Sequence, residues 1–103
     1  MARRLRWTET ALGDLEHSAD YIARDSPRYS AAFVRRIRDA ARSLKTFAER
    51  GRVVPELADP QVRELLVGSY RLIYEIRGRE AAVVLALVHG ARDLPSLWTR
   101  ENR

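Results

Sequence analysis

Apolar residues recur at helical spacing in the first half of the chain and alternate with polar ones in the second. Arg3 to Trp7 reads as a short opening strand, after which Thr8 caps a helix that begins near Glu9, with Ala11 following. Leu12, Leu15, Ala19 and Ile22 form one apolar stripe on that helix, and the pattern turns Asp14, Glu16 and Asp20 away from it. Arg24 and Asp25 lead to a break. Ser26-Pro27 then starts a second helix, because serine caps and a proline at the first helical position lacks an N–H that would be unbonded anyway. Phe33, Ile37, Ala40 or Ala41, Leu44 and Phe47 continue it as a second stripe, which Gly51 should end. Two amphipathic helices with so short a link predict an antiparallel helical hairpin.

Arg52 to Pro60 holds Pro55 and Pro60 without periodicity and is expected to be a loop. Val62 to Val67 and Tyr70 to Arg77 are strand-like, and Gly68-Ser69 between them is a two-residue turn. That turn pairs Val67 with Tyr70, Leu66 with Arg71, Leu65 with Leu72 and Arg63 with Tyr74. Side chains alternate along a strand, so Leu65, Val67, Tyr70, Leu72, Tyr74 and Ile76 share a face, which should carry the helices. Arg71 then projects from the other face with Glu64, Leu66, Ile73 and Glu75. Gly78-Arg79 turns the chain into Ala81 to His89, apolar at both parities as a central strand covered on both sides would be. The expectation is an α+β fold: an N-terminal strand, an antiparallel helical hairpin, then a three-stranded antiparallel meander. A single domain is expected over residues 1–103, with a polar C-terminal tail over 91–103 whose apolar points are Leu94, Leu97 and Trp98.

Composition narrows the functions. Hydrophobic residues make up 46% of the chain and charged ones 32%, a globular balance. There is no cysteine, and the two histidines, His17 and His89, lie far apart in sequence, so neither a metal site nor a cofactor is expected. No apolar run reaches the roughly 20 residues of a membrane span, and the basic N-terminus leads into no signal region, so the expected location is cytoplasmic. The net charge is +5, and of 19 basic residues only Lys45 is a lysine. Such a balance favours acidic partners, although an arginine-rich codon usage would produce the same excess.

The strand Val62-Arg63-Glu64-Leu65-Leu66-Val67, its turn, Tyr70-Arg71-Leu72-Ile73-Tyr74 and the ending His89-Gly90-Ala91-Arg92-Asp93-Leu94, all after a helical hairpin, resemble the ParE/RelE toxin superfamily. The resemblance runs from Arg4 to about Trp98. It implies a cytoplasmic toxin of a type II toxin–antitoxin system, neutralised by a cognate ParD-like antitoxin in a hetero-oligomer. Promoter DNA would be bound only through the antitoxin, since no helix-turn-helix is visible here. One branch cuts messenger RNA on the ribosome. The other, associated with plasmid stabilization, inhibits DNA gyrase by binding.

Metal-free RNA cleavage needs a base, an acid and cations around the phosphate. RelE-like nucleases supply these with a lysine pair, two arginines and a tail tyrosine. Arg71 and Arg92 match the arginines, and His89 could serve as a base helped by Glu64 or Glu75. Val62-Arg63-Glu64-Leu65 stands where the lysine pair would be, and Trp98, whose indole is neither acid nor base, falls at the tyrosine. Arg71 has a structural alternative, pairing with Glu64 and Glu75, and Tyr70 and Tyr74 read as core aromatics with a wet tip.

No catalytic residue is therefore expected on the leading reading, a gyrase inhibitor whose tail residues Arg92, Asp93, Leu94 and Trp98 touch the target. Trp98 either enters such an interface or folds back on the sheet. Arg35, Arg38 and Arg42 on the second helix suit an acidic antitoxin segment, or form a solvated face. The competing expectations are a ribosome-dependent nuclease using Arg71, His89 and Arg92, and a non-toxic interaction partner.

Overall fold

The computed structural model describes residues 2–90. Strand β1 (Arg4–Trp7) leads into helices α1 (Glu9–Ala23) and α2 (Pro27–Arg42), and two single 3₁₀ turns follow at Ser43–Lys45 and Ala48–Arg50. Strands β2 (Arg52–Val53), β3 (Val62–Val67), β4 (Tyr70–Arg77) and β5 (Ala81–His89) complete the order. They form one five-stranded sheet, β1-β5-β4-β3-β2, in which β1 runs parallel to β5 and the other neighbours are antiparallel. This is the expected α+β arrangement, with the meander widened by one strand at each edge. Among the described residues no helix is long and apolar enough to cross a membrane.

Both helix starts follow from their caps. Thr8 Oγ1 accepts from the Ala11 N–H at 3.0 Å and Ser26 Oγ from the Tyr29 N–H at 3.1 Å, each covering an N–H that the first helical turn leaves unbonded. Thr8 also ties the helix to the sheet, donating through its N–H to Val84 and through its hydroxyl to Leu85. The hairpin closes where Ser30 donates to the Ala19 carbonyl at 2.6 Å.

The two helical stripes differ in detail from the expected ones. On α1 the buried residues are Ala11 and Leu15, while Leu12 is 45% exposed. The helix is rolled so that Asp14 faces the sheet, where its Oδ2 accepts from the Leu87 N–H at 2.9 Å. The cause is the brevity of β1, whose pairing with β5 stops at Trp7 and Val84. Beyond that point the β5 edge needs acceptors for its backbone, and Asp14 supplies one. The second stripe ends sooner than expected: α2 stops at Arg42, Leu44 is buried from the following 3₁₀ turn, and Phe47 is 63% exposed.

Gly51 therefore does not end α2; it follows the second 3₁₀ turn, Ala48–Arg50. Its backbone is extended, and a Cβ there would come within 2.7 Å of the Glu64 carbonyl oxygen. Glycine is needed because the ring of Tyr74 lies against it. Tyr74 is fully buried; its hydroxyl donates to the Ala48 carbonyl and accepts from the Gly51 N–H at 2.9 Å, so its tip is not wet. Immediately after Gly51 the expected loop holds the two-residue strand β2, pairing Arg52 with Glu64 and Val53 with Arg63. Two residues carry too short a pattern to reveal a strand in sequence.

The β3–β4 register is the one the turn predicts, including Val67 with Tyr70, Leu66 with Arg71, Leu65 with Leu72 and Arg63 with Tyr74. Leu65, Leu72, Tyr74 and Ile76 pack under the helices with Leu15, Ile37, Leu44, Val84 and Leu87. The opposite face has a smaller core of its own, Val54, Val62, Ile73, Ala86 and Val88, covered by the segment after β2 through Leu57. Between β4 and β5 the register slips by one: Ile73 opposes Ala86 while Tyr74 opposes Val84, leaving Leu85 as an extra residue.

Substitution Tyr74→Phe should destabilise the protein by about 1–3 kcal/mol in urea unfolding, since it strips a buried N–H and a buried carbonyl of their partner. Gly51→Ala should do similar damage through the clash with Glu64 and Tyr74.

Candidate functional site

The chemistry-bearing side chains fall into two groups, one on each side of the sheet. On the face away from the helices, Arg71 is enclosed by carboxylates. Its Nε donates to Glu64 Oε1 at 2.7 Å, and its Nη1 and Nη2 donate to the two oxygens of Glu56 at 2.8 and 2.7 Å. Arg52, across β2, donates through Nε to the other Glu64 oxygen. The Glu64 side chain is fully buried and that of Arg71 nearly so, so each charge in this chain of ion pairs is matched. The hydrogen bonds from Arg71, opposed by partial burial, bring the Glu56 carboxyl from its ordinary 4.5 down to about 2. The same bond to Glu56 first, then those to Glu64, pushes Arg71 above its ordinary range.

The expected pairing of Arg71 is thus half right. Glu64 is a partner, but Glu75 is not, because it stands four positions along the strand from Arg71, about 13 Å at ordinary strand rise. Glu75 instead accepts from Arg77 Nε at 2.6 Å. Glu56 comes from the segment read as a featureless loop, and sequence offered one signal for it: an acidic residue between two apolar ones, Val54 and Leu57, that could anchor it. Arg63, the one cation where a lysine pair would stand, is also engaged. It donates to the carbonyls of Glu49, Gly51 and Pro60.

His89 lies on the helix side. It opposes Tyr70 across β4 and β5, and its ring meets the Tyr70 ring edge-on at 5.4 Å between centroids. Tyr70 also contacts Phe33 at 4.9 Å. Simple alternation would have put His89 on the side of Val83 and Glu75, the face that also carries Glu64. The extra residue at Leu85 reverses that, so neither glutamate stands on its face. A cleft of about 300 Å³ there is lined by Asp14, His17, Tyr21, Tyr70 and His89, bringing together the two histidines that are distant in sequence. His17 Nδ1 donates to the Gly13 carbonyl at 2.8 Å. Among the described residues no three His, Cys, Asp or Glu side chains are grouped as a metal ion would require.

Arg35, Arg38 and Arg42 are exposed on α2, and Arg42 pairs with Asp39 at 3.1 Å in an ion pair open to solvent. Such a pair contributes little to stability and leaves the helix face accessible. Arg92, Asp93, Leu94 and Trp98, with the rest of the tail over 91–103, lie outside the described residues.

The lowered Glu56 carboxyl has a measurable consequence. Between about pH 4.5 and about 2 the unfolded chain binds a proton at Glu56 that the folded chain refuses. The stabilisation from this group is complete above that window and fades as pH falls through it. Glu56→Gln removes the dependence, so the stability gap between wild type and variant, measured by urea unfolding, should narrow from about pH 6 to about pH 3.

Comparison with known proteins agrees with the fold. The chain is 43% identical over 61 residues to Toxin RelE2 of Caulobacter vibrioides, a stretch that covers 59% of this chain and 65% of that relative. It superposes on a chain of the chromosomal ParDE toxin–antitoxin system of P. aeruginosa with a TM-score of 0.70 at 23% identity, covering 85% of this chain and 96% of the other. A chain of the RelBE2 toxin–antitoxin complex of Mycobacterium tuberculosis superposes with a TM-score of 0.59 at 29% identity, covering 86% and 99%. The family described as ParE toxin of type II toxin–antitoxin system, parDE, matches residues 5–94. With nearly the whole sequence matched and the strand–hairpin–meander order in place, the chain belongs to the ParE toxin family of type II toxin–antitoxin systems.

Proposed function

We propose that this toxin acts in the cytoplasm by binding DNA gyrase and blocking its cycle, and that a ParD-like antitoxin holds it inactive in a hetero-oligomer. The observation that carries this reading is the separation of the nuclease candidates. Arg71 is bonded through all three of its nitrogens to Glu64 and Glu56, and His89 stands on the opposite face of the sheet. A metal-free nuclease needs its base and its phosphate-binding cation around one reacting atom. Divided by a sheet, these two do not meet.

Binding functions make no such demand. Arg92, Asp93, Leu94 and Trp98 are assigned to the gyrase contact, with Trp98 as the anchor that an interface concentrates its energy on. The exposed arginines Arg35, Arg38 and Arg42 are assigned to an acidic antitoxin segment, which would order as it docks. Promoter DNA is reached through the antitoxin.

A second reading, a ribosome-dependent ribonuclease, draws on the 43% identity to a toxin named RelE2 and on the cleft that His17 and His89 share. Purified toxin decides between the two when supercoiling by gyrase and cleavage of ribosome-bound messenger are assayed side by side. We expect gyrase inhibition with intact message; cleaved message with normal supercoiling would overturn the proposal.

Two substitutions sharpen the comparison. His89→Ala should leave growth arrest within about twofold of wild type, whereas loss of a general base would cost about 10²–10⁴-fold. Trp98→Ala should weaken gyrase inhibition by about 30-fold, the loss expected of a central interface anchor.

A further inference from the structure

The two helices of the hairpin carry opposite charge. Helix α1 holds four carboxylates, Glu9, Asp14, Glu16 and Asp20, and neither arginine nor lysine; α2 holds five arginines and one carboxylate, Asp39. Asp14 is turned to the sheet, and Arg36 lies beside Gly68 at the β3–β4 turn. The others sort by helical spacing. Glu9, Glu16 and Asp20 fall on one stripe of α1, Arg28, Arg35, Arg38 and Arg42 on one stripe of α2, and all of them are exposed. Ala11, Leu15, Ile37 and Ala41 are buried on the other side of each helix, so both stripes face away from the sheet, side by side. Among the described residues no ion pair joins the two stripes; Arg42 pairs within α2, with Asp39.

A surface half acidic and half basic complements a second copy of itself. Two such hairpins meet face to face about a two-fold axis in two ways. With the axis across the helices, each helix lies on its own counterpart, acid on acid and base on base. With the axis along the helices, α1 of each copy lies on α2 of the other. Charge rejects the first arrangement and favours the second. The second axis also preserves height along the hairpin, which the Ser30–Ala19 contact sets. Counted from that contact at equal rise, Glu9 lies level with Ala40, between Arg38 and Arg42, and Glu16 lies level with Phe33, beside Arg35. Leu12, 45% exposed between Glu9 and Glu16, adds an apolar contact.

We propose that the outer face of the helical hairpin is a self-association surface, and that free toxin forms a two-fold dimer in which α1 of one protomer packs on α2 of its partner. The 15 residues of α1 make the face about 22 Å long, and two helices make it about 20 Å wide. Such a contact buries about 900 Å² over both copies, small for a stable complex, so the dimer is weak and held largely by charge. The proposed antitoxin segment uses the same arginines and would replace the second copy. The dimer itself depends on neither the antitoxin nor the target, and it is tested without them.

Sedimentation of the whole chain, free of antitoxin, follows association between about 20 and 500 µM. The mass should rise with concentration from 11.8 kDa toward twice that value, and the dissociation constant should increase about tenfold or more as salt goes from about 0.05 to 0.5 M. Two double substitutions examine the pairing. Arg35→Glu with Arg38→Glu, and separately Glu9→Arg with Glu16→Arg, turn the expected attractions into repulsions, and each should weaken association by about tenfold or more. All four positions are exposed, so both variants should keep the fold, which circular dichroism checks. Mixed in equal amounts, the two variants should dimerise again, because each α1 then meets an α2 of opposite charge. Wild type that stays monomeric across the range rejects the surface. So does either variant that dimerises as wild type does, which would put the second copy elsewhere, or a mixture that associates no better than its components.

Discussion

A sheet with two helices has enough helix to cover one face, and how the other face is closed shapes everything around Arg71. The cover is the segment after β2, held by Val54 and Leu57 and by the run of charges from Arg52 through Glu64 and Arg71 to Glu56. A buried carboxylate is tolerated only with its charge matched and its oxygens bonded, and Glu64 has a guanidinium on each oxygen. Remove one member and the neighbours are left charged in a poorly solvated place. The cluster thus ties the covering segment to β2, β3 and β4 by charge as well as by apolar packing.

The same economy appears at the far edge. β1 is too short to pair along all of β5, so Thr8 and Asp14 lend side-chain oxygens to the exposed backbone and draw α1 onto the sheet. On the near edge the Tyr74 hydroxyl does the equivalent for Ala48 and Gly51. A chain of this size closes its sheet with single side chains placed where a larger protein would use another strand or helix.

These substitutions of side chain for backbone explain what could be read in the sequence and what could not. Caps and turns are local, so Thr8, Ser26 and Gly68-Ser69 announced their elements, and the turn then dictated the β3–β4 register. The two faces of the β3–β4 hairpin followed by alternation. Asp14 was misread because a charge beside an apolar stripe ordinarily faces water, and only knowledge of where β1 stops shows that a backbone N–H awaits it. Glu56 was missed because its partner lies 15 residues away and its own segment has no period. The face of His89 could not be read from the sequence, because alternation cannot count a residue that the ladder skips. The tail residues around Trp98 were singled out by chemistry, and nothing in strand or helix spacing bears on them.

That skipped residue reaches beyond its own strand. With Leu85 accommodated as an extra position, every side chain after it keeps the side it has; drawn into a regular ladder, the same letters would turn Val88 under the helices and His89 toward Arg71. Two proteins with the same histidine and the same arginine at matching places in their alignments could thus carry them as neighbours or as strangers, depending on a defect that an alignment scores as identity. For a superfamily divided between inhibitors and nucleases, the count of residues along the last strand is a better question to ask than which residues it contains.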